Sequence, residues 1–227
     1  MALAIGGSTA MAIPVSASAA GQGSRLIEEV MVTAQKREED SQDIPIMISA
    51  FSGEKLDAMG VDSTADLQKI TPGLTFTYAY GYTVIYLRGI GTDAFLPNAD
   101  PSIATYIDGI NIGPSQGKQD TLGAVKRVEV LKGPQGTLFG RNATGGAISI
   151  ITEDPPEEFT GYLKTEVGNY NAKASQLYLG LPVTDSLGLT VSLFNSSQDL
   201  YGRNEVFGEP GPMKDEFAEG ARVKMRW

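Results

Sequence analysis

The chain has 227 residues, of which 41% are hydrophobic and 20% charged, a composition ordinary for one large or two small folded domains. Its 18 basic and 27 acidic residues leave a net charge of -9, which argues against nucleic acid as a partner, because that partner selects a clustered basic patch. There is no cysteine and no histidine, so disulfides, thiolate chemistry, the usual zinc sites and imidazole-based triads are all excluded.

Residues 1–20, MALAIGGSTAMAIPVSASAA, are apolar or small and carry no charge, and Ala17-Ser18-Ala19 offers the small-x-small pattern of a signal-peptidase site. They read as a cleaved signal peptide, although no Lys or Arg precedes the apolar stretch. Gly, Ser, Thr and Pro14 dilute it well below the roughly 20 strongly apolar residues of a spanning helix. Residues 21–42, GQGSRLIEEVMVTAQKREEDSQ, set one apolar island, Val30-Met31-Val32, in a charged surround. They read as a tether with an embedded handle, and residues 1–42 are expected to make no stable contact with the domain that follows.

From Asp43 to about Asp154 the pattern is mixed α and β. A strand is expected at Ile44 to Phe51, then a helix from Ser52-Gly53-Glu54 to about Met59 with Gly60 to stop it. A second short helix takes Ser63 or Thr64 as cap, turns Leu67 and Ile70 inward and ends at Thr71-Pro72-Gly73. Short strands follow at Leu74 to Tyr78, Val84 to Leu87, Ala104 to Ile107, Val128 to Leu131 and Ala147 to Thr152. Between the last two, Gly133, Gly136, Gly140, Gly145 and Gly146 punctuate a loop. It is no phosphate cradle, because Gly140 is followed by Arg141 and Asn142 and not by Lys and Ser or Thr. Its glycines are expected to supply positive backbone angles and room for neighbouring chain.

After Pro155-Pro156 the period becomes two. Phe159, Leu163 and Val167 are apolar around Lys164 and Glu166, and Leu177, Leu179 and Leu181 continue the pattern. Leu187, Leu189, Val191 and Leu193 alternate with Gly188, Thr190 and Ser192, and Ala221, Val223, Met225 and Trp227 with Arg222, Lys224 and Arg226. Segments of this length, joined by a tight Pro182 to Ser186 turn and a long polar loop from Gln198 to Glu216, match outer-membrane barrel strands. The apolar set would face lipid and the polar set the lumen.

Taken together, four ordered motifs resemble those of the TonB-dependent outer-membrane receptors: Ile27 to Ala34 (IEEVMVTA), Leu87 to Gly91 (LRGIG), Tyr106 to Gly109 (YIDG) and Val128 to Thr152. The resemblance implies an α+β plug domain over residues 43–154, a small mixed sheet with two short helices, followed over 155–227 by about four antiparallel strands of a transmembrane β-barrel. Family barrels have about 22 strands, wide enough to need a plug. Four strands leave an open edge whose unpaired groups each cost several kcal/mol in lipid, so a truncated receptor is expected.

The resemblance also assigns roles. Ile27, Glu28, Glu29, Val30, Met31, Val32, Thr33 and Ala34 form the segment that joins the sheet of a TonB-type periplasmic energy-coupling protein by β-augmentation. Arg88, Glu129, Lys132 and Arg141 stand at the positions of an ionic lock between the plug and barrel-wall carboxylates. Relatives commonly carry Arg where this chain has Lys132, which keeps the charge but loses the bidentate fork. Tyr78, Tyr80, Tyr82 and Phe95 fall on apical plug loops that meet substrate. The implied function is import of a large scarce solute, a ferric siderophore first among several, through the Gram-negative outer membrane. No cofactor or metal is implied, and the partners are the coupling protein, outer-membrane lipid and the solute. Two other classes stay open: an exported glycan-binding or glycan-cleaving protein using two carboxylates among Asp93, Asp100 and Asp108, and a surface adhesion or assembly protein.

Overall fold

The structure, a computed structural model, describes residues 31–33, 37, 39–40, 44–79, 82–92, 100–113, 122–184, 186–199, 203–204, 211–212 and 216–227. In chain order the elements are β1 (Met31–Val32), β2 (Glu39–Asp40), β3 (Ile48–Ser52), α1 (Gly53–Ala58), α2 (Leu67–Ile70), β4 (Leu74–Ala79), β5 (Tyr82–Leu87), β6 (Ile103–Ile107) and β7 (Ile110–Ile112). There follow β8 (Val125–Lys132), α3 (Gly136–Phe139), β9 (Gly146–Thr152), β10 (Thr160–Val167), β11 (Lys173–Thr184), β12 (Leu187–Gln198), β13 (Arg203–Asn204), β14 (Gly211–Pro212) and β15 (Glu216–Arg226).

The first domain is built on a five-stranded sheet of order β3-β8-β9-β6-β7, in which only β6 and β9 run parallel. Alternation along the strands gives this sheet two apolar faces. Val128, Val130, Ile148 and Ile150 point to one side, where Leu56 of α1, Leu67 of α2 and the β4-β5 hairpin residues Leu74, Phe76, Ile85 and Leu87 cover them. Leu131, Ala147 and Ala104 point to the other, beneath Val32, Ile44 and the loop residue Ala143. α1 ends at Gly60, in the left-handed region at φ 64°, as a C-terminal glycine stop requires. Before α2, Ser63 and Asp66 cap each other: the Ser63 amide donates to Asp66 at 3.1 Å, and the Asp66 amide to the Ser63 hydroxyl at 3.3 Å.

Three expectations need correction. The first strand starts at Ile48 rather than Ile44, because Pro45 brings no amide donor to a ladder; Ile44 instead packs over the sheet. A third short helix, α3, lies in the glycine loop where two helices in all were expected, and β7 pairs with β6 beyond the YIDG turn. The expectation of a tether without stable contacts fails for Met31–Thr33, whose Val32 is fully buried against the sheet. An apolar island of three residues is too short to show the period that would announce its burial in the sequence.

The loop glycines divide by role. A Cβ on Gly146 would lie 2.5 Å from the Leu131 carbonyl oxygen and 2.6 Å from Leu87, and one on Gly145 would lie 2.6 Å from Ile90, so here the chain does pack against itself. Gly133 and Gly140 have open space and instead turn the chain at φ 106° and 76°.

The second region is a four-stranded antiparallel sheet of order β10-β11-β12-β15. Its exposure is inverted relative to the first. Leu163, Val167, Val223 and Met225 are exposed, whereas Tyr178, Thr190 and Ser192 are buried on the opposite face. That face lies against the first domain, where Gly123 sits beside Ser192 and Phe194, and the linking Pro155 and Pro156 pack on Gly188 and Gly180, where a Cβ would come within 2.5 Å of either proline.

Candidate functional site

The segment Met31–Thr33 is the described part of the sequence-predicted coupling segment; Ile27, Glu28, Glu29, Val30 and Ala34 lie outside the described residues. Met31 and Val32 pair antiparallel with Asp40 and Glu39. Thr33 then meets β8. Its amide donates to Glu129 Oε1 at 2.8 Å and its hydroxyl to the same oxygen at 3.2 Å, while Arg127 Nη2 donates to the Thr33 hydroxyl at 3.3 Å. Arg127 Nε is 2.7 Å from Glu129 Oε1, and the two side chains are only 7% and 1% exposed. Residues two apart on a strand share a face, so the local geometry of β8 suffices to bring the pair together. Glu129 Oε2 is buried with no hydrogen-bond partner among the described residues. Glu129 was expected to face barrel carboxylates; its carboxylate is instead engaged inside the first domain, with Arg127 and the N-terminal segment.

Arg88 and Lys132 are neighbours around Met47, whose carbonyl accepts the Lys132 amide at 2.9 Å. Arg88 sits at φ 54° in the LRGIG turn, its amide donating to Gly73 at 2.7 Å and its guanidinium resting on Met47 sulfur. A non-glycine residue in this region costs about 1–2 kcal/mol, and the turn leaves the Arg88 side chain exposed. Burial first, and then the nearby Arg88 charge, hold the Lys132 ammonium below the ordinary lysine range. Among the described residues neither cation forms an ion pair. Arg141 lies apart from them, 3.2 Å from Asp100, in a largely exposed pair that Asn142 joins at 3.3 Å.

Contacts between the first domain and the strands run with the opposite polarity to the expected lock. Lys164 of β10 reaches Asp62 at 3.1 Å and Asp57 at 3.3 Å, flanking α1. Lys224 of β15 reaches Asp154 at 2.9 Å and Asp108 at 3.5 Å, and donates to the Thr152 carbonyl at 3.3 Å. Arg222 donates to the Leu122 carbonyl at 3.3 Å. Asp108, at φ 47° in the YIDG turn, is held in turn by the Thr152 amide at 2.9 Å and hydroxyl at 2.6 Å. The cations are on the strands and the carboxylates on the domain. Lys224 and Arg222 were legible as cations of a lumen-facing set, but their partners had no signal in the sequence; Arg127 had one, its spacing of two from Glu129 on a strand.

Of the four aromatic residues expected to meet substrate, Tyr80 and Phe95 lie outside the described residues. Tyr78 and Tyr82 belong to the tip of the β4-β5 hairpin, opposite Thr83 and Ala79. A cavity of about 540 Å³ lies elsewhere, between Ser63 and Ala65 and the strand residues Glu166, Lys173, Ser196 and Gln198. Of the three carboxylates considered for glycan cleavage, Asp93 is outside the described residues, Asp100 pairs with Arg141 and Asp108 is committed to Thr152 and Lys224.

Residues 40–147 match the family model of the TonB-dependent receptor plug domain. The chain is 32% identical over 195 residues to the iron-regulated outer membrane virulence protein of Vibrio cholerae, a match covering 81% of this chain and 30% of that protein. It is 32% identical over 192 residues to the pesticin receptor of Yersinia pestis, covering 82% and 27%. The crystal structure of the ferric yersiniabactin uptake receptor from Yersinia pestis superposes with a TM-score of 0.72 at 29% identity, over 79% of this chain and 28% of that one. The chain thus spans about 30% of the length of these curated relatives. With the mixed sheet as plug and the inverted antiparallel sheet as barrel strands, the chain belongs to the TonB-dependent receptors of the Gram-negative outer membrane.

Proposed function

We propose that this chain carries the plug and the adjoining barrel strands of an energy-coupled receptor that imports a ferric siderophore, the plug gating the barrel and its N-terminus facing the periplasm. The observation that supports this most directly is the inside-out pair of sheets, an apolar-cored plug held on the polar face of strands whose apolar face is outward. Relatives named for ferric yersiniabactin uptake and for ferripyoverdine support the solute class. Catalysis is not part of the reading, because Asp100 and Asp108 are engaged in structural contacts.

Coupling runs through Ile27 to Ala34, as an extended peptide added to the sheet of a TonB-type periplasmic protein. Proline at Val30 removes a main-chain donor, so Val30→Pro in the full-length protein abolishes uptake while leaving solute binding intact. Arg88 and Lys132 form a cationic face for carboxylates on the barrel wall. Arg88→Ala accordingly sensitises cells to large antibiotics at unchanged surface abundance.

The deciding experiment expresses the full-length protein in an iron-starved Gram-negative strain stripped of its own siderophore receptors and measures uptake of radiolabelled iron presented as ferric yersiniabactin or ferripyoverdine. Uptake that disappears when the coupling protein is deleted supports the reading. No chelate-dependent uptake, with the protein present in the outer membrane, refutes it for these solutes.

A further inference from the structure

We infer that one row of outward polar side chains on the strand sheet, Thr165, Ser175, Asn195 and Glu219 with Lys173 just beyond it, is a docking surface for the phosphorylated sugar headgroup of an outer-leaflet glycolipid. The inference rests on the reading that the N-terminus faces the periplasm, which puts the short Pro182 to Ser186 turn on that side and the long Gln198 to Glu216 connection outside. The row itself stands on strand register. Thr165 pairs with Ser175, Ser175 with Asn195 and Asn195 with Glu219, so the four side chains lie side by side across four strands. All four are exposed, on the same face as Leu163, Leu193, Val223 and Met225.

The next row toward the short turn, Leu163, Leu177, Leu193 and Ala221, is wholly apolar, and no polar side chain returns to this face before the row of Leu181, Leu189 and Met225, with Trp227 beyond it. From Glu219 to Trp227 the chain climbs about 27 Å, or roughly 21 Å of height at the tilt of about 40° usual for barrel strands, close to the ~25 Å of an outer-membrane apolar band. The polar row therefore marks the edge of the hydrocarbon. Phe217, exposed in the row beyond it, is the aromatic residue expected at a membrane interface.

Hydroxyl, amide and carboxylate groups turned toward lipid need partners there, because they have given up water without replacement. Among the described residues Lys173 and Glu219 form no ion pair. At the hydrocarbon edge the available partners are headgroup hydroxyls and phosphates. Lys173, which pairs with Val167 and Ser197 one row further out, supplies the cation for a phosphate, and the row supplies donors and acceptors for hydroxyls. Strands about 4.8 Å apart make the row about 14 Å wide. A headgroup with one small phosphate spans it only in part, whereas a pair of linked, phosphorylated sugars covers it.

Depth and leaflet are tested first, in the full-length receptor with an introduced cysteine as its only one. Spin labels on Val191→Cys, Asn195→Cys and Ser197→Cys are read in lipid vesicles for collisions with oxygen, which concentrates in hydrocarbon, and with a nickel chelate, which stays in water. Oxygen dominates at position 191, the chelate at 197, and the two balance at 195. Oxygen dominance at 197 or chelate dominance at 191 overturns the row as a boundary. On intact cells a membrane-impermeant maleimide labels Ser197→Cys; labelling only after the cells are broken means that the orientation reading has failed and the glycolipid partner with it. The partner is then read by native mass spectrometry of the receptor mixed with purified deep-rough lipopolysaccharide or with phosphatidylglycerol. Lipopolysaccharide binds the parent and binds Lys173→Ala about tenfold more weakly. Asn195→Leu weakens it by a smaller factor, with barrel folding of both variants checked by heat-modifiable mobility. Equal lipopolysaccharide binding by parent and Lys173→Ala, or equal retention of phosphatidylglycerol by the parent, overturns the headgroup site and leaves the orientation reading standing.

Discussion

The plug sheet and the strand sheet use the same period-two alternation and mean opposite things by it. In the plug, Val128, Val130, Ile148 and Ile150 are at most 2% exposed, while in the strands Leu163 is 69% and Val167 87% exposed and Thr190 and Ser192 are buried. Alternation identifies a face; the medium on each side decides what that face is for. Water surrounds the unfolded plug and drives its apolar face inward, whereas hydrocarbon outside a barrel removes that drive and leaves the polar face to find partners inside.

Altering the two apolar faces has the largest expected effects. Leu131→Ala, in the plug core, costs about 2–5 kcal/mol through lost contacts and a cavity, readable as a lower plug melting temperature in the full-length receptor. Val223→Arg, on the exposed face of β15, costs about 2–4 kcal/mol if that face meets mid-bilayer lipid, readable from denaturant titration of folding into lipid vesicles. An ordinary water-exposed position tolerates such a change within about 0.5 kcal/mol, and that outcome would sink the lipid-facing assignment.

The junction between the two sheets comes next. Lys224→Met removes the cation shared by Asp108, Asp154 and the Thr152 carbonyl, three-quarters buried at its side chain. Its cost falls between that of an exposed and a buried pair, about 1–3 kcal/mol. Large antibiotics entering mutant cells faster than parent cells at matched receptor abundance is the expected sign of a loosened plug.

A smaller effect separates two neighbours. Burial pushes the Asp154 carboxyl up, but hydrogen bonds and charge from Lys224 and Lys126 outweigh it and hold it below the usual carboxylate range. Burial, in contrast, wins at Glu153 and raises its carboxyl. The depressed group stabilises the fold above its unfolded value, a contribution lost as pH falls through the lower folded value; the raised group costs stability at neutral pH, a cost relieved on acidification. At neutral pH, Asp154→Asn therefore destabilises and Glu153→Gln stabilises, each by under about 1 kcal/mol given their exposure. Melting curves at pH 7 with shifts of the same sign would contradict the assignment.

The smallest effect belongs to Arg141→Ala. Its pair with Asp100 is 84% and 49% exposed at the side chains, and screening limits such a pair to within about 0.5 kcal/mol. A larger loss of plug stability would mean that Arg141 has a partner on the barrel wall.

Elements whose cause is local were legible in the sequence. The Gly60 stop, the inward Leu67 and the four alternating strands all follow from backbone preferences and side-chain periodicity over a few residues. Also legible was that residues 222 and 224 are cations on a lumen-directed face. Long-range packing was needed to show that Thr33 meets Glu129 across 96 residues, that Arg127 reaches Thr33 across 94, and that Lys224 closes on Thr152 across 72. Glu129 read as a lock residue and proved to be an inward-facing acceptor, because a charge in a β-strand looks the same in sequence whether its face meets a barrel wall or is covered by a returning segment. That cover is supplied by Val32, from an apolar island too short to show a period, and by Ile44, whose alternation with Ile46 and Ile48 reads as strand; nothing local says that either lies over Leu131.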